Sequence, residues 1–215
     1  MNGQPSSHRQ PQLKHATIYL LRHGAVDLPE NAKRYVGWQD VTLSERGREQ
    51  AHAWGKHFGG CALDAICCST LSRCRETARI IAERCNLRLQ ALPALREIHL
   101  GSWEGQDQQT IMTRYPRAYR QRGEQIADYR PPGGESFRDL QKRVWPAFES
   151  VARKHGPTLI VSHAGVIRVL LCRLLEIPLQ HLFHLRQIRA TLTIVTKGAQ
   201  GYCVEAINLP CPERI

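Results

Sequence analysis

Thr17-Ile18-Tyr19-Leu20-Leu21-Arg22-His23-Gly24 is the stretch on which the fold turns. Five residues, mostly apolar and partly β-branched, end abruptly in an arginine, a histidine and a glycine. The pattern predicts a buried strand feeding a loop. Further along, the transition recurs. Ala65-Ile66-Cys67-Cys68-Ser69 reads as a second strand. Leu71, Cys74, Ala78, Ile81, Ala82 and Cys85 then share one helical face. Residues 87–92 read as a third strand. Residues 158–162 read as a fourth, ending at His163-Ala164-Gly165, with an almost wholly apolar and therefore buried helix over 166–175. Strands over 191–196 and 202–207 complete the series.

The helix signals between these strands are explicit. Ser44 has the chemistry of an N-cap, with Glu45 in the first turn, and Ala51, Trp54 and Phe58 repeat at helical spacing before Gly59-Gly60 stops the helix. Pro131-Pro132-Gly133-Gly134 is a break. Beyond it Ser136 and Asp139 form a capping box, and Phe137, Leu140, Val144, Phe148 and Val151 make one apolar stripe. Residues 106–130 are polar, with helical pieces interrupted at Pro116 and Gly123, as in a cap-like insertion. Alternating strands and helices predict an α/β fold: a three-layer α/β/α arrangement with a mostly parallel sheet and helices on both faces. We expect one domain over 17–210, preceded by a disordered tail over 1–16.

Bulk properties narrow the function classes. Thirty Lys and Arg against nineteen Asp and Glu give a net charge of +11, which favours anionic partners. The basic residues are spread along the chain and form no nucleic-acid motif, which argues against nucleic acid and leaves a small phosphorylated molecule as the natural anion. Eight cysteines form no C-x-x-C pair and no zinc spacing, so no metal site is expected. No apolar run is long enough to span a bilayer, so no membrane partner is expected. The first residues lack an apolar signal core, and a reducing cytoplasm is the expected compartment.

Sites in open α/β sheets gather beyond the carboxyl ends of the strands. Arg22-His23, Ser69 to Arg73, and His163 all fall there. Phosphoryl transfer needs a nucleophile, cations around the phosphoryl oxygens and a proton donor for the leaving oxygen. Neutral imidazole can attack near pH 7, and guanidinium matches phosphate in a bidentate manner. The chain offers His23, His163, Arg22, Arg73 and the acid Glu97.

Five segments, in order, carry a resemblance to a known family. They are Leu21-Arg22-His23-Gly24; Asp40 to Gly47; Ser69-Thr70-Leu71-Ser72-Arg73 with Thr77-Ala78; Leu95-Arg96-Glu97 with Gly101 and Glu104-Gly105; and Ser162-His163-Ala164-Gly165. Together they resemble the histidine phosphatase, or phosphoglycerate-mutase-like, superfamily across about residues 17 to 207. The resemblance implies that His23 attacks phosphorus and becomes a phosphohistidine. It places Arg22, Arg73 and His163 around the phosphoryl oxygens, and Glu97 as the proton donor and later the base. It implies neither cofactor nor metal.

Glu97-Ile98-His99-Leu100-Gly101 resembles the phosphatase branch, whereas mutases typically continue the acid with Arg-His-Tyr-Gly. Pro132-Gly133-Gly134-Glu135-Ser136 and His163 to Arg168 resemble the α-ribazole phosphatases of cobalamin synthesis, and also occur in broad-specificity members. Two readings stand beside a phosphomonoesterase: a phosphoglycerate mutase, and a protein that binds phospho-ligands without turnover. Ala25 and Pro29 depart from the family pattern and are the features behind the last. Arg114, Arg117, Arg120 and Arg122 lie in the insertion and are candidates for binding substrate, although a charge run usually marks a solvated face.

Overall fold

The computed structural model describes residues 16–28, 34–154 and 156–212. Of the expected tail only Ala16 is described, and it already belongs to the first strand; Pro29 lies outside the described residues. Six strands form one sheet: β1 (Ala16–Arg22), β2 (Ala65–Cys68), β3 (Leu89–Ala91), β4 (Thr158–Ser162), β5 (Leu192–Gly198) and β6 (Gly201–Leu209). Their spatial order is β3-β2-β4-β1-β5-β6. The β1–β4, β2–β4 and β2–β3 pairs are parallel, and β5 runs antiparallel to both its neighbours. The sheet is thus mixed, with β5 alone reversed. The third strand is shorter than its apolar pattern suggested, because Asn86 turns left-handed (φ 52°) before it.

Helices α1 (Glu45–Gly59) and α2 (Ser72–Cys85) cover one face of the sheet. Helices α5 (Phe137–Lys154) and α6 (Ala164–Leu174) cover the other. The period-2 alternation of the strands divides the core accordingly. Leu21, Ile66, Cys68, Leu159 and Val161 pack with Trp54, Phe58, Cys74 and Ile81. Ile18, Leu20, Cys67, Ile160 and Val195 pack with Leu140, Val144, Phe148 and Leu170. No described helix is long and apolar enough to cross a membrane.

The caps form where the side chains allow them. Ser44 Oγ accepts from Gly47 N, and Ser136 and Asp139 bond each other reciprocally. Pro146 sits inside α5 without ending it, on an exposed position where water can meet the carbonyl it leaves unpaired.

The insertion contains α3 (Gln108–Arg114) and α4 (Pro116–Glu124). Pro116 begins α4 at its first turn, where its missing N–H costs nothing, and the helix runs through Gly123. Ile111, Ile126 and Ala127 are buried in the same core as α5 and α6. The insertion is thereby anchored to the body of the domain.

Candidate active site

The sheet delivers four of the five predicted residues to one cavity of about 440 Å³. His23 follows β1 and Arg73 starts α2 after β2, while Glu97 follows a 3-10 turn at Pro93–Leu95. Arg22, His23, Arg73 and Glu97 all line the cavity.

The loop that carries His23 is held from several sides. His23 N donates to Ser162 O, and Ala190 N donates to His23 O. Gly24 N donates to Thr77 Oγ1, and Ala25 N to Gln50 Oε1. Gly24 also abuts Gly47 on α1, so closely that a Cβ on Gly24 would lie 2.5 Å from Gly47 O. Only glycine permits that contact, which sets the depth of the loop.

His23 is 5% exposed. Its Nδ1 lies 2.8 Å from Gly24 O. A carbonyl only accepts, so the hydrogen-bond geometry assigns the proton to Nδ1 and leaves the Nε2 lone pair bare. Burial, followed by repulsion from Arg22 and Arg73, pushes the imidazole well below its ordinary pKa of 6.5. The ring is therefore neutral near pH 7, as an attacking nitrogen must be.

Arg73 is buried and donates Nη1 to Gln39 O and Nη2 to Gly37 O, which orients its remaining N–H groups. Arg22 donates Nη1 to Gln187 O, while its buried Nε finds no partner among the described residues. Burial, with repulsion from Arg189, lowers the Arg22 guanidinium to about 10, which keeps it charged at neutral pH. Glu97 accepts from Ile98 N through Oε1 and from Gly165 N, in the first turn of α6, through Oε2. A Cβ at Gly165 would lie 2.2 Å from Glu97 Oε1, so this position has to be glycine for the carboxyl group to sit there.

His163 differs from the expectation. It is fully buried and is not among the cavity-lining residues. Its ring packs edge-on to His23 with centroids 5.4 Å apart, and its Nε2 lies 2.8 Å from Ser69 Oγ. It occupies the end of β4, where the strand is covered on both faces, so it contacts the His23 ring rather than the open cavity. Burial, then Arg73 and His23, hold it also well below 6.5.

The other acidic residues near Glu97 are engaged elsewhere. Glu104 accepts from Trp38 N, Leu100 N and Gln39 N, and Asp107 caps α3 through Thr110 N. Ser162 Oγ donates to Leu95 O, a strand-end role, and Trp103 is buried packing. The sequence reading did not assign the rest of the cavity wall to the site: Arg34, Arg168 and Arg189, with Phe137 and Phe183. Arg122 also turns inward, whereas Arg114, Arg117 and Arg120 are exposed. Local pattern carried no sign of this, because these side chains converge from separate segments.

The two buried histidines link stability to pH. Both have native pKa values below the unfolded value of about 6.5. Above that pH both are neutral in either state, and their contribution is complete. Below it the unfolded chain takes up protons that the native pair refuses, so stability falls with pH. The urea unfolding midpoint is therefore expected to fall between about pH 7 and pH 5, a window above carboxylate titration. A midpoint that stays level across that window would contradict the burial of neutral imidazoles.

The chain matches the model of the histidine phosphatase superfamily (branch 1) over residues 18–210. It is 30% identical over 171 residues to the adenosylcobalamin/alpha-ribazole phosphatase of Escherichia coli (strain K12), covering 79% of this chain and 84% of that protein. It is 30% identical over 196 residues to phosphoserine phosphatase 1 of Hydrogenobacter thermophilus, covering 90% of this chain and 92% of that one. Among solved structures, a mycobacterial glucosyl-3-phosphoglycerate phosphatase superposes with a TM-score of 0.81 at 30% identity, covering 91% of this chain and 100% of that chain.

Proposed function

We propose a mechanism from one premise: this chain belongs to branch 1 of the histidine phosphatase superfamily. It is a phosphatase, an enzyme that hydrolyses phosphate esters, and we assign the reacting groups as follows. His23 Nε2 attacks phosphorus as the ester P–O bond breaks, and the leaving oxygen takes a proton from Glu97. Arg22 and Arg73 hold the phosphoryl oxygens and neutralise their charge. Water then gives a proton to Glu97 and attacks the phosphohistidine, the P–N bond breaks, and inorganic phosphate leaves with His23 neutral again. His163 acts on the His23 ring, which it packs against edge-on.

The observation that carries this reading is the His23 tautomer. A buried, neutral imidazole with Nδ1 bound to Gly24 O and Nε2 free lies in a cavity lined by Arg22 and Arg73. The guanidinium groups supply the positive charge that a divalent metal supplies in other phosphoryl-transfer sites. Hydrolysis is therefore expected to need no added metal. Incubation with p-nitrophenyl phosphate in excess EDTA should release phosphate, and acid-labile phosphate should appear on His23 after rapid quenching. A protein that only binds phospho-ligands would show tight phosphate binding and no such label. Isomerisation dependent on 2,3-bisphosphoglycerate and faster than hydrolysis would identify a mutase instead. Similarity to α-ribazole phosphatases makes α-ribazole 5′-phosphate one substrate to test.

A further inference from the structure

The Glu97 carboxyl group reaches the cavity from a loop rather than from a strand or a helix. Loops hold side chains less firmly than regular elements do. Here the loop is fixed through its backbone. A carbonyl oxygen has two lone pairs. Glu97 O accepts two hydrogen bonds from side chains of distant segments, Trp38 Nε1 at 2.7 Å and Arg143 Nη2 at 3.1 Å.

Arg143 belongs to α5 and spends all its N–H donors on this region. Nη1 donates to Ala94 O and to Arg96 O. Nε and Nη2 donate to the two carboxylate oxygens of Glu135. Glu135 in turn accepts from His99 N. One guanidinium thus pins the chain on either side of Glu97 to α5.

Trp38 belongs to a strap, residues 37–40, that also holds Arg73. Gly37 O and Gln39 O accept from the Arg73 guanidinium, and Asp40 accepts from Ser72 N and Oγ at the start of α2. Trp38 N and Gln39 N donate to Glu104. The Trp38 ring lies 4.5 Å from the His99 ring and 4.9 Å from the Arg96 guanidinium, residues on both sides of Glu97. The strap therefore ties the arginine assigned to the phosphoryl group to the acid assigned to its leaving oxygen. Neither Trp38 nor Arg143 lines the cavity.

We propose that Trp38 and Arg143 are positioning residues for proton transfer: by holding the Glu97 carbonyl they fix its carboxyl group relative to Arg73 and the bound phosphoryl group. This rests on the assignment of Glu97 as proton donor in the phosphatase reading above. A misplacement of about 1 Å at a reacting group can cost about 10²-fold in rate, and loss of one of the two donors is expected to cost about tenfold.

The test follows the first turnover after rapid mixing, as phenol released from phenyl phosphate and nitrophenol released from p-nitrophenyl phosphate. The esters are alike in shape, but phenolate is the stronger base and needs the proton more. Trp38→Phe keeps a ring beside Arg96 and His99 and removes the N–H. Arg143→Lys keeps the charge opposite Glu135 and removes the fork to the carbonyls. Each should slow phenol release about tenfold and nitrophenol release by less. In a Glu97→Gln background neither should slow phenol release further, because no proton is left to position. A merely structural role predicts equal losses on both esters and the same loss in both backgrounds. That result, or no loss at all, overturns the positioning role and leaves the phosphatase reading intact. Glu97→Gln with the wild-type rate on phenyl phosphate overturns the acid assignment and the positioning role with it. Failure of the wild-type protein to hydrolyse either ester overturns the phosphatase reading itself. The two variants lie on separate elements, so if one does not fold the other decides the question.

Discussion

His23→Ala is expected to lower phosphomonoesterase kcat by roughly 10⁴-fold or more, the scale seen when a covalent nucleophile is removed. The expectation follows from position rather than from residue type alone. The His23 ring is buried, neutral and fixed by its Nδ1 contact to Gly24 O, so Nε2 is the reactive nitrogen. The backbone around it is clamped by Ser162, Ala190 and Thr77, so no other side chain is free to move into its place. Rapid-quench labelling should show no phosphoenzyme in the variant. The substitution should leave phosphate affinity measurable, since Arg22 and Arg73 remain. Full activity in His23→Ala would remove the mechanism altogether.

Glu97→Gln is the next largest expected loss, about 10²–10⁴-fold on substrates with poor leaving groups. The amide oxygen can still accept from Ile98 N or Gly165 N, though not from both, and the amide cannot exchange a proton. The two chemical steps should therefore separate. With p-nitrophenyl phosphate the leaving phenolate needs little protonation, and formation of the phosphohistidine should remain comparatively fast. Attack by water still requires a base, so phosphoenzyme should accumulate and a burst of nitrophenolate should precede slow turnover. Equal loss on nitrophenyl and alkyl phosphates, without a burst, would show that Glu97 does not move the proton.

Much of the architecture was legible in local pattern. The apolar run before Arg22-His23-Gly24 predicted β1, and Ser44 and the Ser136–Asp139 pair marked helix starts that the structure caps in the predicted way. These features are local because a cap or a strand face is satisfied within a few residues. The reversal of β5 was not legible: strand direction is set by pairing with β1, residues far away in sequence. Nor was the environment of His163. A histidine at a strand end reads the same whether it faces the cavity or lies beneath it, and here α6 and Ser69 cover it.

By itself the sequence determined the order of strands and helices, the residues at their carboxyl ends, and the type of chemistry those residues can carry. His23, Arg22, Arg73 and Glu97 meet because consecutive βα units place their loops at one end of the sheet. Only the tertiary structure decided which further side chains face the cavity. Arg122 is solvated by its own helix's pattern, yet it is half-buried, with its guanidinium beside the rings of Tyr35, Trp103 and Phe137 from three other segments. Periodicity reports which face of an element is buried, whereas a pocket is made where the ends of several elements converge, and that convergence is a property of the packed chain.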